Sequence, residues 1–249
     1  MIQIKNLTKT FDGQKALDGL NLNVKKGSIY GLVGINGSGK TTALNHITGL
    51  YKQDFGECQV NGENSYDNKK MKETLGYIPD ELFFFTNYNL KNTKAFYKNM
   101  YKNWNEDRYK DLIERLQLNE KKRLKGFSKG MQKQAAFALI MSTMPEVLIL
   151  DEPIDGLDPI VKKVIMEYII EDVADRGLTT VISSHNLKEM DGICDTVGIM
   201  KKGKTLIEGE LDEIRQKISG ESEPLSLDEI FVKVYENDYK NRGVEKNDK

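Results

Sequence analysis

The stretch GINGSGKTT, residues 34 to 42, sets glycines on either side of a serine directly ahead of a lysine and two threonines. Before it stands IYGLVG, residues 29 to 34, a continuous apolar run of the kind a strand buried on both faces shows. After it, Ala43, Leu44, Ile47 and Leu50 share one face of an expected helix. Strand, glycine-rich turn and helix in that order constrain the fold more than any other feature, because this is the context a phosphate-binding loop needs. Gly37 and Gly39 let the backbone turn its N–H groups inward around phosphate oxygens without a Cβ clash, and the helix directs its positive end at the same anion. Lys40 is placed to bridge β- and γ-phosphate oxygens and the Thr41 hydroxyl to ligate Mg²⁺. Gly34, Asn36, Ser38 and Thr42 complete the expected nucleotide contacts of the loop.

The second half of such a site is a buried strand ending in an acid, and VLILDE, residues 147 to 152, supplies it. Asp151 is expected to hold Mg²⁺, directly or through water. Glu152 is suited to polarise the water that attacks the γ-phosphate, since a carboxylate there can take its proton as charge builds.

Around these motifs the chain reads as α/β. Residues Ile2 to Phe11 and Ala16 to Val24 alternate apolar and polar around DGQ, which predicts an antiparallel pair. Further buried strands are expected at Leu75 to Ile78, Val147 to Leu150, Thr179 to Ser183 and Val197 to Met200, with helices between several of them, as a parallel sheet requires. Residues 81–134 are aromatic and lysine-rich, and EDRYKDLIERLQL sets Tyr109, Leu112, Ile113 and Leu116 on one helical face. The expected organisation is a P-loop, RecA-like core of mostly parallel sheet with an N-terminal antiparallel β segment (1–80 and 135–211) and a helical subdomain (81–134). Residues 212–249 then form a linker, a short helix opened by a Ser226/Glu229 capping box around Ile230, Phe231 and Val234, and a polar, disordered tail.

Charge and cysteine content narrow the classes. Lys plus Arg number 37 against 38 Asp plus Glu, so no overall charge draws the chain to a nucleic-acid backbone, and no nucleic-acid partner is expected. Cys58 and Cys194 stand in no metal-like spacing and read as buried small hydrophobes in a reducing cytosol. No apolar run approaches the roughly 20 residues a membrane-spanning helix needs.

FSKGMQK, residues 127 to 133, lies ahead of VLILDE and resembles the signature of the nucleotide-binding subunit of ATP-binding cassette (ABC) transporters; the resemblance covers nearly all of residues 1 to 235. Ser128 and Gly130 match the signature, while Phe127, Lys129 and Met131 depart in the manner of a Ser-Lys-Gly-Met variant of exporter-type members. The resemblance implies Mg²⁺-dependent ATP hydrolysis coupled to a separate transmembrane subunit, with export the direction that the variant suggests. It implies a head-to-tail dimer with a second ABC ATPase subunit, identical or not, in which Ser128 and the following helix meet the γ-phosphate held by the partner. It also implies a cytoplasmic location, peripheral on the inner face of the membrane. GLDP, residues 156 to 159, resembles the D-loop, with Asp158 capping a helix begun by Pro159 and reaching across the dimer; His185 in ISSHNL resembles the switch histidine that contacts the γ-phosphate. Phe11 sits where the family stacks an aromatic on adenine; ordinary core at a strand end is the lesser, competing reading. His46 reads as a packing residue.

The sequence also departs from the family. The glutamine after YIP is Asp80 here, expected near Mg²⁺, with Glu81 able to substitute; the Thr after DEP is Ile154; the signature lacks its second glycine and its glutamine. A soluble ABC ATPase acting in translation or DNA repair is the rival reading, against which stand a single cassette and no sustained heptads. A nucleotide sensor that does not hydrolyse is a third, disfavoured by Glu152. Finally, Phe83, Phe84 and Phe85 cannot all face one way. They read either as filler between core and helical lobe or as part of the groove for the membrane partner's helix, with at least one ring exposed and Tyr88, Tyr97 and Tyr101 extending the surface.

Overall fold

The structure, a computed structural model, describes residues 1–219 and 224–244, with side chains described as far as Asp238. β1 (Ile2–Phe11) and β2 (Gln14–Val24) pair antiparallel around Asp12 and Gly13, whose φ angles are 49° and 78°. β3 (Ile29–Val33) runs into the glycine-rich loop and α1 (Lys40–Ile47). β4 (Phe55–Val60) and the short β5 (Glu63–Asn64) return to β1 and give a four-stranded sheet in the order β2-β1-β4-β5. α2 (Lys69–Glu73) and β6 (Leu75–Ile78) precede a helical stretch of α3 (Leu90–Met100), α4 (Glu106–Arg115) and α5 (Lys129–Met141). Then follow β7 (Val147–Asp151), α6 (Pro159–Arg176), β8 (Thr179–Ser184), α7 (Leu187–Asp191), β9 (Thr196–Lys201), β10 (Lys204–Glu210), α8 (Leu211–Ser219) and α9 (Leu227–Val244).

The second sheet has the order β10-β9-β3-β8-β7-β6, parallel throughout except for β10 on β9. Its strands alternate between two cores, because successive side chains leave a strand on opposite faces. Tyr30, Leu32, Val147, Ile149 and Val181 join α1 and the antiparallel sheet on one face. Ile29, Val33, Leu148, Leu150 and Ile182 join α5, α6 and α9 on the other. This double burial is why those strands read as continuous apolar runs.

Helix starts follow side chains that accept from orphan N–H groups. Asn89 accepts from Asn92, Asn105 from Asp107 and Arg108, and Ser128 from Met131. The Ser226/Glu229 box is formed in both directions, Ser226 N–H donating to Glu229 Oε2 at 2.8 Å and Glu229 N–H to Ser226 Oγ at 3.3 Å.

The structure corrects several expectations. α1 stops at Ile47 and Gly49 turns at φ 70°, so Leu50 leaves the helical face and is exposed. Ile113 is only partly buried beside Tyr109, Leu112 and Leu116. β4, β5, β10 and α8 are additional elements, α8 occupying what reads as linker. α9 is longer than a short helix and includes residues 237–244 of the expected polar tail; residues 245–249 of that tail lie outside the described residues.

Candidate functional site: a phosphate-binding cavity at the strand ends

Parallel pairing delivers the residues after each strand to one edge of the sheet. Ile78 lies opposite Leu150, Asp151 opposite Ser183 and Val33 opposite Ser184. Asp80, Asp151 with Glu152, His185 and the loop 34–42 therefore converge at the carboxyl ends of the strands, where open α/β sheets bind ligands. A cavity of about 470 Å³ lies there, lined by residues 36–42 with Ala16, Asp80, Asp151 and Glu152.

The loop takes the shape its glycines permit. Gly37 and Gly39 have φ angles of 77° and 105°. A Cβ on Gly39 would stand 2.7 Å from the Ala16 carbonyl oxygen, and one on Gly34 would stand 2.5 Å from Ser38 Oγ and 2.6 Å from the Met200 carbonyl oxygen. Lys40 is buried; its Nζ donates to the Gly34 carbonyl at 2.7 Å and lies 3.7 Å from Glu152 Oε1. Glu152 Oε2 lies 3.0 Å from His185 Nδ1, and His185 Nε2 lies 3.9 Å from Asp155 Oδ2. One carboxylate thus touches the loop lysine on one side and the histidine on the other.

Glu152 sits at φ 48°, a left-handed conformation that costs a non-glycine residue about 1–2 kcal/mol and so needs anchoring. Its N–H donates to Ser183 Oγ at 3.1 Å, and its carbonyl accepts from buried Lys133 Nζ at 2.6 Å. The same Nζ pairs with Asp80 Oδ1 at 3.2 Å. Asp80 therefore lines the cavity as expected, but its carboxylate engages the signature helix.

Asp151 is buried, one oxygen accepting from Ser183 Oγ and Oδ2 having no hydrogen-bond partner. Ser38 Oγ is likewise buried without one. Buried polar groups are normally satisfied, so these two oxygens, on residues that line the cavity together with Thr41, fit a hard cation such as Mg²⁺ with its oxygen-rich ligand.

Other expected site residues lie outside this cavity. Asp158 caps α6, accepting from Ile160 and Val161 N–H, with Pro159 in the first turn. A Cβ on Gly130 would stand 3.1 Å from the Gly156 carbonyl oxygen, so the signature start and the D-loop form one continuous surface. Phe11 is 41 % exposed and packs edge-on to Tyr51 at 5.5 Å, which rules out its reading as core. Ile154, in place of the family's Thr, is buried core. Sequence reasoning missed Ala16, Ser183 and Lys133. Ser183 stands beside His185 in a strand that was legible, whereas Ala16 and Lys133 reach the site only through tertiary contact.

Comparison with known proteins agrees with this arrangement. Residues 17–155 match the ABC transporter family. The chain is 36% identical over 87% of its length to the bacitracin transport ATP-binding protein BcrA of Bacillus licheniformis, of which 72% is covered. It is 32% identical over 85% of its length to the lantibiotic transport ATP-binding protein SrtF of Streptococcus pyogenes, of which 92% is covered. A solved ATP-binding subunit of an ABC transporter superposes with a TM-score of 0.86 at 27% identity, covering 94% of this chain and 99% of that one. The chain belongs to the ABC transporter family and has the fold of its ATP-binding subunit.

Proposed function

We propose that the chain binds ATP with Mg²⁺, hydrolyses it to ADP and phosphate, and thereby energises a separate transmembrane subunit that exports its substrate. The observation that carries the catalytic reading is the position of Glu152, whose carboxylate touches Lys40 at the phosphate loop and His185 at the end of β8. In that position Glu152 takes the proton of the attacking water, while Lys40 and the loop N–H groups hold the β- and γ-phosphates. His185 steadies the Glu152 carboxylate and reaches the γ-phosphate. Asp151, Thr41 and Asp80 are the candidates to hold Mg²⁺, which supplies positive charge to the phosphate oxygens when bound. Phe11 stacks on adenine, a role its exposed ring allows.

Ser128, Gly130 and Asp158 lie away from the cavity lining on the surface that the signature and D-loop share, which supports their use by a second subunit in a head-to-tail dimer. Residues 81–134 are read as the helical lobe that carries the signature. Phe83 and Phe85 are exposed and Phe84 packs on the core, so the run serves both readings offered for it, and its outer rings fit a groove for a helix of the membrane partner. Among the described residues no helix is long and apolar enough to cross a membrane, consistent with attachment to the inner face through that partner. The relatives BcrA and SrtF are named for transport, which favours this reading over translation or DNA repair. The Ser-Lys-Gly-Met signature variant supports export.

Steady-state phosphate release with and without Mg²⁺ tests the reading. Turnover that requires Mg²⁺ and is lost, together with ATP binding, in Lys40→Ala is the expected result, because the phosphate charge loses its buried partner. Unchanged ATP binding by Lys40→Ala would contradict it.

A further inference from the structure

The C-terminal helix reaches the phosphate loop. Tyr235 on α9 is buried, and its hydroxyl donates to the Met200 carbonyl at 2.6 Å while accepting the Ile35 N–H at 3.4 Å. The Met200 carbonyl is the oxygen whose closeness excludes a Cβ from Gly34, and the Gly34 carbonyl in turn holds Lys40 Nζ at 2.7 Å. One phenol thus ties the end of β9 to the entry of the loop, at the same peptide group whose carbonyl aims the lysine.

Its own position is fixed by neighbours. Phe231 stacks on the Tyr235 ring at 4.3 Å, and Lys201 Nζ lies 4.7 Å over the ring while pairing with Asp238 at 2.8 Å. At the start of α9, Leu227 N–H donates to Asp191 Oδ1 at 3.3 Å, an oxygen that Arg215 also holds at 2.5 Å. Asp191 ends α7, the helix that follows His185. One helix therefore braces both the phosphate loop and the arm carrying His185. It lies beyond residues 17–155, the stretch that matches the family.

We propose that α9 is a working part of the nucleotide site and that Tyr235 is a positioning residue, its hydroxyl holding the loop in the shape that receives the phosphates. The inference rests on residues 34–42 being the phosphate loop. A loop held ready loses less entropy on binding, so removing the hydroxyl weakens binding without touching the group that activates water. Tyr235→Phe keeps the stacked ring and removes the hydroxyl, and with it the bonds to Met200 and Ile35.

The test measures equilibrium binding of ATP and of ADP by the full chain, kcat at saturating ATP, and the melting temperature without nucleotide. For Tyr235→Phe we expect Kd to rise about fivefold for both nucleotides as the loop loses its preorganisation, with kcat within about twofold of wild type. A purely structural tyrosine would lower the melting temperature and leave Kd unchanged, and an unchanged Kd overturns the inference whatever the melting temperature does. Lys40→Ala in the same assay separates the two failures. Normal binding by Lys40→Ala overturns the loop reading and this inference with it; normal binding by Tyr235→Phe beside a Lys40→Ala that has lost binding overturns the inference alone.

Discussion

Lys133 holds Glu152 by its carbonyl oxygen and Asp80 by its carboxylate, so one ammonium group spans the signature helix, the end of β7 and the segment after β6. Because Glu152 is kept at positive φ by such contacts, Lys133→Met should leave ATP affinity near wild type and lower kcat by about tenfold or more through misplacement of the carboxylate. Single-turnover hydrolysis reads that split, and an unchanged rate would reduce Lys133 to packing. Phe11 makes the opposite prediction: Phe11→Ala should weaken ATP binding several-fold with the fold intact, while Phe11→Tyr retains it, since either ring offers a π-face. Unchanged nucleotide affinity in Phe11→Ala would remove the ring from the adenine site. His46 is legible only as a packing residue, and the structure gives it a pH dependence. Its Nδ1 donates to the Thr42 carbonyl at 2.7 Å, and burial holds its pKa below the ordinary 6.5. Lys9 pushes the same way, against the Thr42 carbonyl, Asp54 and the Lys52 backbone. The unfolded chain thus takes up the proton first as pH falls, so His46 contributes stability above pH 6.5 that is lost as pH drops from there through its folded pKa. The melting temperature should decline between about pH 7 and about pH 5, and decline less in His46→Gln. Equal slopes for both proteins would exclude His46 as the source.

At the scale of elements, the segment between β6 and α3 turns two of its three phenylalanines outward. Phe83 is 86 % exposed and Phe85 52 % exposed, and Phe85 gathers Phe83, Phe96 and Tyr88 at centroid distances of 6.3, 6.0 and 5.0 Å. The stack continues through Tyr97 to Tyr101. Aromatic anchors at the centre of a contact carry most of its energy, so Phe83→Ser should weaken binding of the membrane partner by about 2 kcal/mol while ATP binding survives. Co-purification in gentle detergent and a titration against the recovered partner measure this; indifference to the substitution would return the patch to plain surface. What was legible in the sequence follows the same local logic. The phosphate loop, VLILDE and the helix caps are readable because adjacent residues fix them. β4 is poorly readable because FGECQV buries only Cys58 and Val60, and α8 because it buries only Leu211 and Ile214. Lys133, Ala16 and Tyr235 have no local signature: each reaches the site from an element distant in the chain, and only the assembled sheet brings them there.

At the largest scale, the described residues form a mostly parallel sheet packed between two cores, one shared with the antiparallel sheet and α1, the other with the remaining long helices. The strand ends supply the charged groups, the helical stretch supplies Lys133 and the signature, and the C-terminal helix braces the loop. In the head-to-tail dimer proposed above, the cavity would be half of a site whose other half is the Ser128, Gly130 and Asp158 surface of a second subunit. The reading of Glu152 as the base of an ATPase so assembled turns on Glu152→Gln, followed at once by ATP binding, phosphate release and size in solution. Wild-type ATP affinity, no turnover and a long-lived ATP-bound dimer are expected, because the amide keeps the shape of the carboxylate and cannot take the proton. Phosphate release near the wild-type rate from that variant would contradict it.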